Sequence, residues 1–339
     1  MTAAILGCEG LGLSAEERAF FRAVRPWGFI LFKRNVETPE QVRALAQALR
    51  ACVDRADAPV LIDQEGGRVQ RLGPPHWRRY PPGRAYGELA ARDPAAAREM
   101  ARLGARLLAQ DLSQLGINVD CLPVLDVPEP GAHDVIGDRA YGETPEAVAT
   151  LGRAAAEGLI AGGVLPVIKH IPGHGRARAD SHLALPVVEA PLAELEARDF
   201  APFKALSDMP MAMTAHVVYA AVDPRRPATT SRRAIREIIR GTIGFDGLLM
   251  SDDLSMKALD GDFAERARAS LAAGCDVVLH CNGDMAEMKA MMAGTGPLAG
   301  RAKARAAAAL ARLPKASEPF DAEAARARFD AAFEGRWAS

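Results

Sequence analysis

Between Lys169 and His182 the chain packs a cation, three imidazoles and a carboxylate into fourteen residues: Lys169-His170-Ile171-Pro172-Gly173-His174-Gly175, then Asp180-Ser181-His182. The proline and glycines make most of this segment loop. An apolar run, Val164-Leu165-Pro166-Val167-Ile168, precedes it and reads as a buried strand. Polar groups delivered at the end of a buried strand are how α/β enzymes build active sites. Asp180 and His182 can pair so that the carboxylate fixes the imidazole tautomer and raises its pKa. Such a ring can protonate a leaving group and later deprotonate water. The competing reading is a zinc site of His170, His174, His182 and Asp180. His170 and His174 have helical spacing for zinc, but Pro172, Gly173 and Gly175 forbid the helix. No metal and no cofactor are expected.

Other polar groups stand at the ends of further apolar runs. Leu61-Ile62 leads into Asp63-Gln64-Glu65-Gly66-Gly67-Arg68-Val69-Gln70-Arg71, and a later loop holds Asp126 and Arg139. Thr214-Ala215-His216 and Ser251-Asp252-Asp253 close two more, with His216 as an additional ligand-contact candidate. A carboxylate so placed can accept hydrogen bonds from sugar hydroxyls or attack an anomeric carbon. Asp252 and Asp253 point to opposite sides of a continuing strand, so one faces the site and the other the wall. Gly66-Gly67 lacks a following Lys-Ser or Lys-Thr, so it reads as a tight turn or a close backbone approach rather than a phosphate loop. Trp77, Tyr80 and Tyr86 can stack on a sugar or pack a proline-rich loop.

The elements that carry these groups follow from periodicity. Eight apolar segments are Ala3–Glu9, Gly28–Phe32, Val60–Glu65, Ile117–Val127, Val164–His170, Pro210–His216, Gly247–Asp253 and Cys275–Asn282. Helical stretches are expected over Ser14–Val24, Pro39–Ala56, Pro94–Leu115, Pro145–Ala161, Pro191–Leu206, Ser231–Arg240 and Asp262–Ala273. Thr38-Pro39, Asp93-Pro94 and Thr144-Pro145 each offer a cap followed by proline at the first helical position. Strands apolar on both faces, alternating with helices, predict a parallel sheet. Eight such units predict a (β/α)8 TIM-type barrel, α/β in class. A doubly wound open sheet is the alternative, weakened by the lack of G-x-G-x-x-G after the first strand. Residues 1–339 are expected to form a single catalytic domain, with the barrel over about 1–295 and packed C-terminal helices over about 296–339.

Composition narrows the partners. Lys plus Arg is 42 and Asp plus Glu is 43, so a net charge of -1 gives no footprint for nucleic acid or membrane. Five cysteines without C-x-x-C spacing suit a reduced, cytoplasmic protein. Ile5-Leu6-Gly7-Cys8 lacks the basic and apolar regions of a lipoprotein signal. Nowhere do about 18 apolar residues run together, as a membrane helix requires. A monomer is expected.

Four motifs stand in order: Ile62-Asp63-Gln64-Glu65-Gly66-Gly67-Arg68-Val69-Gln70-Arg71; Pro123-Val124-Leu125-Asp126-Val127; Lys169-His170-x-Pro172-Gly173-His174-Gly175 with Asp180-Ser181-His182; and Ser251-Asp252-Asp253-Leu254-Ser255-Met256. Together, from the first strand to about Asn282, they resemble the family 3 glycoside hydrolases, and within them the single-domain bacterial β-N-acetylhexosaminidases. The resemblance implies a barrel and a retaining, two-step hydrolysis of terminal β-linked N-acetylglucosamine. It implies Asp252 as nucleophile, His182 as general acid/base assisted by Asp180, and sugar binding by Asp63, Arg71, Arg139, Lys169 and His170. It implies an amino-sugar or muropeptide substrate, N-acetylglucosamine on 1,6-anhydro-N-acetylmuramic acid with or without peptide, in cytoplasmic peptidoglycan recycling. Residues 176–179, Arg-Ala-Arg-Ala, are more basic than is usual there. The Ile171–Pro186 loop offers no Glu but a His–Asp pair, and is expected to close over bound sugar. Phosphorolysis, a non-catalytic sugar-binding barrel and a zinc hydrolase are the competing functions.

Overall fold

The computed structural model of the protein describes residues 1–177, 185–314 and 318–337. Eight parallel strands close into a barrel: β1 Thr2–Leu6, β2 Pro26–Leu31, β3 Val60–Ile62, β4 Val119–Asp120, β5 Leu165–Ile171, β6 Met211–Thr214, β7 Leu248–Asp253 and β8 Val277–His280. Each strand pairs with the next, and β8 returns to β1 through Ala4–Val278, Ile5–Leu279 and Leu6–His280. The barrel expected from the apolar periodicity is therefore the fold, and its closure excludes the open sheet. Each of the eight apolar segments overlaps one barrel strand, with ends shifted by one or two residues at β1, β2 and β5.

Side chains alternate along the strands. Ala3, Ile5, Leu165, Val167, Met211, Met213, Leu248, Met250, Val277 and Leu279 form one apolar cluster inside the barrel. Ala4, Leu6, Val60 and Ile62 pack outward against helices, as do Ile168, Ala212 and Leu249. Leu298, Ala306 and Ala309 join the interior cluster, so the helix Gly300–Leu310 closes the barrel floor. That floor is the N-terminal end of the strands, since Ala3 N–H donates to Gly296 O and Leu298 N–H to Met1 O. The opposite rim is left to the loops that follow the strands.

Thr38, Asp93 and Thr144 cap their helices by accepting the backbone N–H of Gln41, of Ala95 and Ala96, and of Ala147, each with proline in the first turn. Each such cap contributes about 1 kcal/mol. The helix expected over Pro191–Leu206 is broken into Leu192–Glu194, a π-helical turn Leu195–Asp199 and Ala201–Ala205. Pro202 lacks the N–H that a continuous helix needs. Two helices were not among those expected, Gly83–Ala90 and Met285–Ala293. In the first, Gly87 is required because a Cβ there would lie 2.3 Å from Tyr141 O. Among the described residues no helix is long and apolar enough to cross a membrane.

The aromatic residues Tyr80 and Tyr86 do not reach a sugar site. Both are buried, and Tyr80 donates its hydroxyl to Asp111 Oδ2 at 2.7 Å. Their rings pack against Phe329 and Phe333 of the C-terminal helix region. Trp77 is half-buried against the same core. Of the two readings of this loop, packing is the one observed.

Candidate active site

Polar residues from the ends of β3, β5 and β7 and from the loop after β4 converge on a cavity of ≈ 150 Å³. Asp63, Glu65, Arg71, Arg139, Lys169, His170, Asp252 and Asp253 line it, with Phe32, Val69, Met213 and Met256 among the apolar walls. This is below the 300–1,000 Å³ typical of drug-sized ligands, and suits a single ring. Wider surface grooves exist, such as one between the helices Pro94–Ser113 and Pro145–Ala161. That groove lies on the outside of the barrel and contains none of the strand-end groups.

A buried ion network forms one wall. Lys169 Nζ lies 3.0 Å from Asp63 Oδ1 and 2.7 Å from Glu65 Oε1. Arg71 donates to Asp63 Oδ2 at 2.9 Å, and Arg139 grips Glu65 with two N–H groups at 2.9 and 2.8 Å. Burial pushes the Asp63 carboxyl up, but Lys169 and Arg71 outweigh it and hold the group well below the usual carboxylate range. Burial likewise opposes the Glu65 anion, yet Arg139 and Lys169 bring its pKa to about 2. Burial works against the Lys169 ammonium, and the two carboxylates keep it firmly charged. Lys169, Arg71 and Arg139 thus face the carboxylates of Asp63, Glu65 and Asp252, with Asp253 as a fourth acid on the wall, a mixture of charges suited to a neutral polar ligand.

The glycines of Asp63–Arg71 serve the backbone. Gln64–Gly66 and Val69–Gln70 make a small antiparallel hairpin. Gly66 and Gly67 turn it with positive φ, and a Cβ on either would strike Pro81 or Pro82. Arg68 then projects onto the loop after β4, pairing with Asp134 and Asp138. It also donates to the carbonyls of Val135 and Ile136, which sets the approach of Arg139.

Asp126 organises the entry to the histidine-rich loop. It meets His170 Nδ1 at 2.7 Å and accepts the backbone N–H groups of His170 at 3.2 Å and His174 at 2.7 Å. Burial raises its carboxyl, and His170 and His174 more than offset this, so it is ionised. The bond from Asp126 fixes the Nδ1–H tautomer of His170 and turns Nε2 away from it. Burial, then the neighbouring His170, push the His174 imidazole down to about 4. Residues 171–177 are mostly buried. Glu129 N–H donates to Gly175 O and His133 N–H to Ala177 O. Arg176 bonds Asp199 Oδ2 at 2.8 Å and Glu129 Oε1 at 2.7 Å. The unusual arginine at 176 is thus an anchor for the stem of this loop. The expected acid/base residues His182 and Asp180 lie outside the described residues, as does the part of the loop expected to close. So do half of the ligands of the zinc reading; among the described residues no group of three His, Cys, Asp or Glu could hold a metal ion.

On β7 the strand parity separates the paired aspartates. Asp252 shares the inward face with Leu248 and Met250. Its Oδ1 accepts the N–H of Asp253 at 2.8 Å, and its Oδ2 has no protein partner among the described residues. Burial raises the carboxyl, while His216, His170, the Asp253 N–H and Lys169 together hold it below its ordinary range. Asp253 turns its carboxylate to the backbone N–H groups of Ser255 and Cys281 and to the Ser255 hydroxyl. His216 corrects an expectation: it is fully buried behind β7, does not line the cavity, and has both ring nitrogens engaged within the protein.

The structure therefore brings Asp63, Arg71, Arg139, Lys169, His170 and Asp252 to one cavity. Sequence reasoning missed the parts played by Glu65 and Asp126, although both stand inside quoted motifs. Asp63 and Glu65 are two residues apart, the spacing that puts side chains on one side of an extended segment. That signal was available for Glu65.

Residues 13–313 match the family described as Glycosyl hydrolase family 3 N terminal domain. A protein named Beta-hexosaminidase from Alkalilimnicola ehrlichii is 44% identical over 282 residues, 82% of this chain and 80% of that one. NagZ from Neisseria gonorrhoeae, solved in complex with N-trifluoroacetyl-D-glucosamine, aligns with a TM-score of 0.85 at 36% identity, covering 99% of this chain and 98% of that one. A family 3 beta-N-acetylglucosaminidase from Paenibacillus sp. str. FPU-7 aligns with a TM-score of 0.86 at 31% identity, covering 98% of this chain and 67% of that one.

Proposed function

The chain belongs to glycosyl hydrolase family 3 and is a glycosidase, and on that premise we propose that it is a retaining β-N-acetylhexosaminidase acting through a covalent glycosyl-enzyme. The observation that carries the proposal is Asp252, ionised at the cavity wall with one oxygen held by Asp253 N–H and the other without a partner among the described residues. In the first step Asp252 Oδ2 bonds to the anomeric carbon as the bond to the leaving oxygen breaks. The imidazolium of His182, assisted by Asp180, gives that oxygen its proton. In the second step water attacks the same carbon, the imidazole takes a proton from it, and Asp252 leaves as carboxylate. Asp63, Arg71, Arg139, Lys169 and His170 hold the ring hydroxyls. Each Asp63 oxygen that accepts from Lys169 or Arg71 retains a second lone pair for a sugar hydroxyl.

The natural substrate proposed is N-acetylglucosamine linked β-1,4 to 1,6-anhydro-N-acetylmuramic acid, with or without peptide, in cytoplasmic peptidoglycan recycling. A cavity sized for one ring favours removal of a terminal sugar, and the N-trifluoroacetyl-D-glucosamine carried by the gonococcal relative favours an amino sugar. Five free, buried thiols suit a reducing compartment. The working unit proposed is a monomer of one catalytic domain, because helix Gly300–Leu310 completes the barrel floor and Phe329 packs on Tyr80.

The test is release of nitrophenol from the aryl β-N-acetylglucosaminide by wild type and by Asp252→Ala. Release by wild type, reduced by roughly three orders of magnitude or more in the variant, is expected. Acceleration by phosphate with sugar 1-phosphate as product would make the protein a phosphorylase. Tight sugar binding with no turnover would make it a binding protein.

A further inference from the structure

Behind the nucleophile runs a buried chain of hydrogen bonds that the mechanism above does not use. Asp252 N–H points to Thr214 Oγ1 at 3.3 Å, and Thr214 Oγ1 lies 2.8 Å from Thr229 Oγ1. Thr229 Oγ1 is 2.7 Å from His216 Nδ1, and His216 Nε2 is 3.0 Å from Asp253 O. Thr214, Thr229 and His216 are all fully buried. The directions follow from the chemistry of the two ends. A carbonyl only accepts, so Nε2 carries the ring proton and donates to Asp253 O. In a ring with one proton Nδ1 then accepts from Thr229, Thr229 accepts from Thr214, and Thr214 is left with a lone pair for Asp252 N–H. Thr229 Oγ1 also lies 3.2 Å from Ala215 O, the alternative acceptor for its one hydrogen, so it is the single-proton ring, whose Nδ1 can only accept, that sets the chain in this sense. Burial depresses the His216 imidazole, which keeps that single-proton form at neutral pH. Hydrogen bonds to Asp253 O, and through Thr229 and Thr214 to Asp252 N–H, then tie it to the segment that carries Asp252.

We propose that His216 is a positioning residue for Asp252: as the Nε2–H tautomer it ties down, directly and through Thr229 and Thr214, both ends of the Asp252–Asp253 segment that aims Asp252 Oδ2 into the cavity. The tie at Asp253 matters most, because the N–H of that same residue holds Asp252 Oδ1 at 2.8 Å. Releasing it frees the residue that orients the carboxylate. The surrounding strand remains in place without it, because Asp253 is also held through its carboxylate by Cys281 N–H and Ser255. This inference rests on the reading of Asp252 as nucleophile. A misplacement of about 1 Å at a reacting group costs about 10²-fold in rate.

The experiment is single-turnover aryl release from a nitrophenyl β-N-acetylglucosaminide, whose good leaving group needs little protonation, with the melting temperature followed in parallel. His216→Leu is expected to slow the step about 10²-fold with sugar binding nearly unchanged, because Asp63, Lys169 and His170 come from other strands. His216→Gln, which can donate to Asp253 O and accept from Thr229, is expected to recover to within about tenfold of wild type. Wild-type rates in a folded His216→Leu, or a Gln variant as slow as the Leu variant, overturn the inference alone. No turnover by wild type overturns the reading of the site and this inference with it. If the Leu substitution unfolds the chain, Thr229→Val decides: a loss of about tenfold supports the proposal, and a wild-type rate overturns it.

Discussion

Replacing Lys169 with Met preserves the length of the side chain and deletes the ammonium that lies 3.0 Å from Asp63 and 2.7 Å from Glu65. Its side chain is only 3% exposed, so solvent cannot substitute for the lost charge. The pKa of Glu65 stands at about 2 against an ordinary 4.5, with burial opposing and first Arg139, then Lys169, lowering it. At about 1.4 kcal/mol per tenfold change in proton affinity, that is roughly 3 kcal/mol in favour of the folded, ionised state. Removing one member of a buried ion pair costs about 3–5 kcal/mol. Arg71 and Arg139 remain in the variant, so the loss should sit at or below the low end, about 3 kcal/mol. For a chain of 339 residues that corresponds to a melting temperature lower by up to about 4 °C. The pH dependence has a defined sign. Both carboxyls are depressed in the folded state, so their stabilisation is complete above about pH 4.5 and is lost as pH falls towards 2. In the variant their pKa values rise, and protonation relieves their burial earlier. The deficit against wild type should therefore be largest near pH 7 and shrink in acid. Thermal unfolding followed by circular dichroism from pH 7.5 to 4 measures it. A melting temperature within about 1 °C of wild type at pH 7.5, or a deficit that grows in acid, would refute the reasoning.

The remaining expectations concern turnover and acid stability. Asp63→Asn keeps the shape but turns amide hydrogens towards Lys169 and Arg71, and should lower kcat/KM on the aryl glycoside by about 10²-fold; unchanged kinetics would remove Asp63 from the site. His182→Ala should impair poor leaving groups far more than nitrophenyl ones, and equal losses on both would argue against His182 as the acid. His174 stays neutral in the fold, with a pKa of about 4 against 6.5 when unfolded. Its contribution is full above about pH 6.5 and is lost as pH falls towards 4, by up to roughly 3 kcal/mol. His174→Gln should flatten that acid limb of the stability profile, and an unaltered limb would contradict the assignment.

The strands were legible because a parallel strand covered on both faces reads as an apolar run. Their lengths were less so. Ile117–Val127 reduces to Val119–Asp120, since Pro123 has no N–H to continue the ladder. The rim aspartates, Lys169 and His170 were legible because strand ends in a barrel face one side. The inward choice between Asp252 and Asp253 required the register of β7, which only the closed barrel supplies. Pairings such as Arg139 with Glu65, 74 residues apart, depend on how the loop after β4 folds back on Arg68. His216 stood at the correct strand end, but its turning away from the cavity is set by Thr229, in the single 3₁₀ turn Ala228–Thr230 of the following loop. Tyr80 and Tyr86 were ambiguous because their partner, Phe329, lies some 240–250 residues further along the chain.

The central claim is that Asp252 forms a covalent bond to the sugar, and trapping that bond tests it most directly. A β-N-acetylglucosaminyl donor with an activated leaving group and fluorine on the ring slows both steps by destabilising their oxocarbenium-like transition states. Breakdown is left slowest, so the intermediate accumulates. Intact mass should rise by one fluoroglycosyl group, and the modified peptide should contain Asp252, with no adduct in Asp252→Ala. Steady turnover of the unfluorinated substrate with no adduct at all, or an adduct on a residue other than Asp252, would contradict the account.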